Sequence, residues 1–413
     1  MSYKNHPPLK EVVFKSSDII KVMSVVRAIQ KVIQRGRERV FLVEETEKGY
    51  VSSLYTVSEH DHSIYLNKQK KISSLEYIGK TKLFWRQYDR IVLAFQAKRV
   101  ATVESSISVS RVHPESLITE GELDGLLFHA LWSFLNKFRP LAAKKLNTTE
   151  LDLVIANIAV FGVRLQGHTV FNPLDFSGKD IEFFFRVSFI SRSLLPSLEK
   201  IAKYSHIGPV VVERGAILAS IASKPGILFV VDEQNTNWYE MGNECGFRGS
   251  FMWGYGDIYK ALGDMCGVSS QYAKHIIERF CSHRISLKIQ GNIEKTIREE
   301  YKKFRDCGDA SLATEHHELL RGEARVIHFE DQLISSLFLS DERYKIADSM
   351  LFTFQDAAWS GDCSLSSSLT VFPYVHPQYE YLNQLLRRRA KWLVPLDTTE
   401  KEKKQKSQYD TIR

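Results

Sequence analysis

Two acidic stretches, each at the end of an apolar run, could do chemistry in this chain. The first is Glu44-Glu45-Thr46, which follows Arg39-Val-Phe-Leu-Val43. The second is Asp232-Glu233-Gln234-Asn235-Thr236, which follows Gly226-Ile-Leu-Phe-Val-Val231. Fully buried strands read as continuous apolar runs, so the second run delivers Asp232 to the carboxyl end of a strand. In open α/β folds that edge is where ligands bind. Asp232 could hold a divalent cation there, or it could cap its own turn. Further on, Trp253-Gly254-Tyr255-Gly256-Asp257 offers two glycines. They either line a phosphate or purine or allow a tight turn into the next helix. His316-His317-Glu318 looks like a ligand cluster, but neighbours on a helix point about 100° apart, which suits a solvated face. Ser/His/Asp, H-E-x-x-H and G-x-x-x-x-G-K arrangements are lacking, so hydrolase and P-loop chemistry have no support.

The elements that must position these residues belong to an ordinary globular composition. The chain has 413 residues, 44% of them hydrophobic and 25% charged. That length calls for two or more subdomains. No window approaches eighteen uninterrupted apolar residues, and the start, MSYKNHPPLKE, lacks the apolar core of an export signal. The five cysteines lack C-x-x-C spacing, which suits a reducing compartment and argues against a disulfide frame or a zinc site. A net charge of +7 permits an acidic partner without requiring one. Basic residues are not interleaved with aromatics along one element, so no nucleic-acid partner is expected.

In chain order, Asp18 to Arg35 reads as a basic amphipathic helix, suited to its own domain, a partner or a membrane surface. Arg39–Val43, a polar turn and Val51–Val57 read as a hairpin. A weaker strand lies near Lys82–Trp85, and Ile91–Phe95 is of the buried type. Val100–Val112 is strand-like. Thr119 then caps a helix with Glu122 as its capping-box partner, and strands at Leu151–Val163 and Ile181–Phe189 follow. Ser191–Ala202 reads as another helix, and strand, helix, strand, strand, helix makes a compact α+β module. A strand ending at Glu213 precedes the central stretch, and helices at 258–263, 269–280 and 292–304 follow it. A strand at Ala324–Phe329 comes next, and 397–413 is a charged tail.

Three of these stretches, in the same order, resemble the bacterial cell-division protein FtsA, a family of actin-type ATPase fold. The first is Arg111-Val-His-Pro-Glu-Ser-Leu-Ile118-Thr119 with Glu120 and Glu122. The second is Phe161-Gly-Val-Arg-Leu-Gln166-Gly167-His168-Thr-Val170-Phe-Asn172-Pro173 with Gly178. The third runs from Val210 through Glu213, Ala216 and Ala219-Ser220 to Asp232, then Gly254-x-Gly256-Asp257-Ile258 and Ala273-Lys274. The resemblance implies an α/β, actin-like two-lobed fold of ribonuclease-H-like mixed sheets with a small SHS2 insert. The corresponding division is a leader and amphipathic helix at 1–38, the first lobe at 39–95 and the insert at 96–192. The second lobe would follow at 193–340, a return to the first lobe and linker at 341–376, and a basic helix with its tail at 377–413. It further implies an adaptor on the inner face of the cytoplasmic membrane that binds the FtsZ polymer and other division proteins and self-associates. Two alternatives are a working ATPase with nucleotide-controlled polymerisation and a PilM-like scaffold of a pilus or secretion machine.

The family's ATP site needs two hairpin loops whose glycines admit phosphate and whose Asp holds the Mg²⁺ shell. Here Asp232 and Thr236 match, with Gly254 and Gly256 at the later position. Glu44, Glu45 and Thr46 in the first loop, and Glu233, Gln234 and Asn235 in the second, stand where the pattern has glycines and small residues. A carboxylate about 4 Å from a phosphate oxygen costs on the order of 4 kcal/mol at an effective dielectric near 20. Micromolar affinity amounts to only about 8 kcal/mol. The expectation is therefore a degenerate site that binds no cofactor or holds ATP with Mg weakly, without efficient turnover. No catalytic residue or metal ligand set is assigned.

The last segment carries one more pattern. Tyr381, Leu382, Leu385, Leu386, Trp392 and Leu393 form one apolar helical face, and Arg387, Arg388 and Lys391 lie elsewhere. Basic residues flanking Trp and Leu suit an interfacial helix on anionic lipid, and an FtsA-like chain would end in one. The same stripe also suits a last helix docked on its own domain.

Overall fold

A computed structural model of the chain describes residues 37–46, 49–58, 62–78, 88–205, 207–220, 225–241, 246–314, 324–329, 331–335, 337, 344–346, 360–361 and 379–396. The expected helix at 18–35, the weak strand at 82–85, the His316-His317 pair and the tail from 397 lie outside the described residues.

One sheet is built from β1 (Arg37–Thr46), β2 (Gly49–Ser58), β3 (Ser63–Ile72), β4 (Arg90–Phe95) and β9 (Val210–Glu213), with the short α1 (Leu75–Ile78) after β3. Its order is β3-β2-β1-β4-β9, with the two-residue β15 (Ser360–Gly361) parallel to the start of β3. β1 to β3 form an antiparallel meander, while β4 and β9 run parallel to β1. The other sheet repeats this plan. β10 (Gly226–Val231), β11 (Thr236–Met241) and β12 (Gly246–Phe251) form the meander. β13 (Ala324–Phe329) and β14 (Tyr344–Ile346) add in parallel on the far side of β10. Each sheet therefore reads 3-2-1-4-5 with one antiparallel member, and the pair defines the actin-like two-lobed fold.

Burial explains the strands. Val40 to Val43 and every residue of β10 are buried, as apolar runs covered on both faces must be. The small-residue helix α4 (Arg214–Ser220) packs Ala216, Ile217, Leu218 and Ala219 into one core with Val40 and Leu42 of the first sheet and Leu228 and Val230 of the second. Behind the second sheet, α5 (Tyr255–Cys266), α6 (Ser270–Cys281), α7 (Leu287–Thr314) and the short α8 (Gln332–Ser335) cover Ile227, Phe229 and Ile327. The helix expected at 292–304 is part of the 28-residue α7.

Between β4 and β9 lies the insert: β5 (Val100–Ser110), α2 (Glu120–Lys145), β6 (Leu153–Leu165), β7 (His168–Thr169) and β8 (Asp180–Ser191). Its strands continue the second sheet through a single pair, Gly246 with Val103. Thr119 caps α2 by accepting from Glu122 N at 3.3 Å. The Glu122 carboxylate does not complete a capping box; the buried Arg111 guanidinium takes it at 2.8 and 2.9 Å and also donates to Gly178 O. After the insert, α3 (Leu195–Ser205) leads into β9. β9 pairs in parallel with β4, so 210–213 lie in the sheet of β1 to β4, and the meander of the other sheet opens at β10.

The last helix among the described residues, α9 (Glu380–Ala390), is docked on the insert. Leu382, Leu385, Leu386 and Ala390 share a core with Leu123, Leu127 and Leu131 of α2. Asn383 bonds both backbone groups of Val160, accepting from its N–H at 2.8 Å and donating to its carbonyl at 3.0 Å, where β6 is bulged. Arg389 pairs with Asp124, and the Trp392 ring lies 5.9 Å from that of Trp132. Beyond the helix, Leu396 enters the first-lobe core beside Leu198 and Ile201. The residues expected to meet lipid thus divide: Leu382, Leu385 and Leu386 are buried, Leu393 packs against the same core, and Arg387, Arg388 and Trp392 stay exposed. Asn383→Ala strands both groups of Val160 and should cost about 1–3 kcal/mol in urea unfolding. A change under a few tenths would mean that water serves Val160 equally well.

Candidate functional site

The carboxyl end of β10 is where sequence reasoning placed a phosphate site, and the chain has filled it. Asp232 to Asn235 form a tight turn between β10 and β11. The Asp232 Oδ1 accepts from Gln234 N at 2.8 Å and Asn235 N at 2.6 Å, and Asp232 N donates to Asn235 O at 2.9 Å. This is an Asx turn, so the carboxylate is engaged by its own loop. Thr236 is buried and donates its hydroxyl to Trp253 O at 2.7 Å.

The amino end of α5 abuts that turn. A helix begins with N–H groups that have no partner inside it, and together with the dipole these attract anions. Here Tyr255 N donates to Asp232 O at 3.0 Å and Gly256 N to Glu233 O at 2.9 Å. Gly254 N donates to the Asp257 carboxylate at 3.1 Å and Asp257 N to Gly254 O at 3.0 Å. The donors that would face a phosphate are already used by the chain. The glycines permit this closeness. A Cβ on Gly256 would sit 2.5 Å from Glu233 O, and one on Gly254 would meet the Glu233 carbonyl and lie 2.5 Å from Gln234 N.

In the first hairpin Glu44, Glu45 and Thr46 are strand residues paired with Val51, Tyr50 and Gly49. Glu44 is buried 3.6 Å from Arg214 at the start of α4. Glu45 takes Gln96 N at 3.1 Å and Arg99 at 2.7 Å, while burial pushes its carboxyl above the usual range. ATP with Mg, which the resemblance implies, does not fit these residues. Asp232 gives one carboxylate oxygen to its own turn, the α5 donors are occupied, and two buried glutamates hold the first strand's end.

The residues that converge most closely were not read as a site in the sequence, where Glu213 stood only as a strand end and within the family resemblance. Glu213, the fully buried last residue of β9, receives Lys145 Nζ from the end of α2 and the Tyr239 hydroxyl from β11. Its Oε2 accepts from Thr102 N of β5 at 3.0 Å, and its own N–H donates to Thr102 Oγ1 at 2.8 Å. Lys145 also lies 4.0 Å from the centre of the Phe247 ring, and burial lowers its pKa. A carboxylate closing a buried strand was the available signal, the same one that drew attention to Asp232.

His328 of β13 is buried, and among the described residues its Nε2 has no hydrogen-bond partner. Burial first, and the Arg214 charge second, lower its pKa from 6.5 to about 3. The unfolded chain binds this proton below pH 6.5 and the folded chain does not. His328 therefore adds stability above pH 6.5 that drains away as pH falls toward 3, at about 1.4 kcal/mol per unit. Between pH 6.5 and 5 the loss is about 2 kcal/mol, and His328→Leu should flatten that slope in urea titrations. An unchanged slope would place a proton acceptor or water at Nε2.

No protein-family model matches the chain, and no curated protein matches it in sequence. Solved structures do. The chain is similar to a component of the "PilM-PilN type IV pilus biogenesis complex", at 14% identity over 72% of this chain and 84% of that one, with a TM-score of 0.42. It is similar to the cytoplasmic domain of EpsL, an inner membrane component of the type II secretion system of Vibrio cholerae, at 11% identity over 81% and 94%, TM-score 0.33. It is also similar to the ethanolamine utilization protein EutJ from Carboxydothermus hydrogenoformans, at 8% identity over 81% and 89%, TM-score 0.34. The fold assignment rests on strand order and direction. Among the described residues no helix is long and apolar enough to cross a membrane.

Proposed function

We propose that the chain is a non-catalytic adaptor, an actin-like scaffold that holds protein partners together in a membrane-associated machine. One observation carries this reading: the N–H groups opening α5 donate to the 232–235 turn and to Asp257, leaving none for a phosphate. Turnover of ATP that Asp232→Ala abolishes would contradict it.

Two machines are compatible with the scaffold. The resemblance to FtsA supports a division adaptor that binds an FtsZ-like polymer on the inner face of the cytoplasmic membrane. A PilM-like scaffold of a pilus or secretion machine is favoured by the docking of α9, because tethering through Leu382, Leu385 and Leu386 needs a face that is committed to the insert. Co-sedimentation with FtsZ polymers and a pull-down from membranes separate the two. The scaffold reading expects capture of a cytoplasmic peptide of an inner-membrane partner and no pelleting with FtsZ. Saturable pelleting would replace it with the division adaptor.

A further inference from the structure

Glu213 sits where three bodies meet. Its backbone ends β9 of the first lobe, Tyr239 reaches it from the second lobe, and Thr102 of β5 and Lys145 at the end of α2 reach it from the insert. The neighbourhood is shaped for this meeting. Gly215, two residues on, leaves the space the Tyr239 ring occupies; a Cβ there would lie 2.6 Å from the ring and 2.8 Å from its hydroxyl oxygen. The insert is also seated on β9 by Asn157, whose Oδ1 accepts from Val211 N at 2.9 Å, and Thr102 Oγ1 lies 2.9 Å from Ser188 Oγ. Lys145 is held between the carboxylate and the aromatic rings of Tyr239 and Phe247, so the end of α2 is anchored in the second lobe. Buried charges are tolerated only with such complete pairing, which makes the node specific about geometry.

We infer that Glu213 is an internal pin that fixes the two lobes and the insert in one arrangement. The lobe angle is then set by the chain's own carboxylate and not by a ligand. This rests on the reading of the cleft between the 232–235 turn and the start of α5 as closed to nucleotide, and it makes the adaptor a surface of constant shape.

Hydrogen exchange on the full chain tests it with two mild variants. Glu213→Gln keeps the side chain's shape and removes its charge, and Tyr239→Phe removes only the second lobe's donor. Both are expected to speed exchange at least tenfold together in 100–104, 142–146 and 236–241, while 270–281 in the second-lobe helices is unchanged. Faster exchange confined to 210–214, or to the substituted strand alone, overturns the pin. Adding Mg-ATP to the unmodified chain is the second arm, and no segment should change. If Mg-ATP slows those three segments, the closed-cleft reading fails and the ligand sets the angle, which overturns the pin as well. If the variants loosen only one segment while Mg-ATP does nothing, the pin alone falls.

Discussion

Glu213→Ala is expected to cost roughly 3–5 kcal/mol in equilibrium urea unfolding, among the largest effects of any single substitution in this chain. The loss comes less from the contacts than from what they leave behind. Lys145 Nζ, the Tyr239 hydroxyl and Thr102 N would all lose their acceptor inside a buried junction. An uncompensated buried ammonium must either give up its proton or draw water in. Replacing both charges, Glu213→Leu with Lys145→Met, removes the stranded cation and should recover most of that loss. If the double variant were as unstable as Glu213→Ala, the cost would lie in the shape of the junction and not in the charge. Lys145→Met alone should be milder, because Glu213 keeps two other donors.

The second large effect belongs to α9. Leu382 is fully buried against α2, and Leu382→Ala should cost about 2–5 kcal/mol, the range for a truncated leucine in a core that cannot collapse. A helix serving lipid would behave in the opposite way: stability in solution would hold and flotation with anionic liposomes would fall. Leu385→Ala on the same face should follow Leu382→Ala, whereas Arg387→Ala, on the exposed side, should leave stability within about 0.5 kcal/mol. A stable Leu382→Ala variant that no longer floats would restore the membrane reading of this segment.

How far the chain could be read in advance depended on whether the deciding contacts were local. The apolar runs ending at Val43 and Val231 are continuous, so burial on both faces followed from composition alone. The strand–helix–strand–strand insert was equally visible in its periodicities. Sheet membership was not. β9 is four residues long, and only its pairing with β4, across the whole insert, puts it in the first lobe. The amphipathic stripe of α9 announced that something covers it, and lipid and the insert offer the same apolar welcome. Asp232 was legible as a carboxylate at a strand end. Whether it faced a ligand or its own turn was decided by hydrogen bonds from Gln234 N and Asn235 N, which a residue pattern cannot choose between. Glu213 carries the same signal, and its partners come from three elements brought together only by the fold.

The glycines at 254 and 256 show the same limit from another side. A phosphate loop and a close-packed turn both require them, for the same lack of a Cβ. Here the atoms a Cβ would meet belong to Glu233 and Gln234, so the need for glycine is met by protein packing. The two acidic positions on β1 complete the contrast, since Arg214 and Arg99 answer them from within the chain.

The most direct measurement of the central claim is calorimetric titration of the purified full chain with Mg-ATP at concentrations up to about 1 mM. An occupied α5 amino terminus and a self-capped Asp232 predict no saturable heat across that range. A well-defined isotherm with micromolar Kd, weakened by Asp232→Ala, would contradict the account, because it would require the turn at 232–235 to give up its hydrogen bonds to a phosphate.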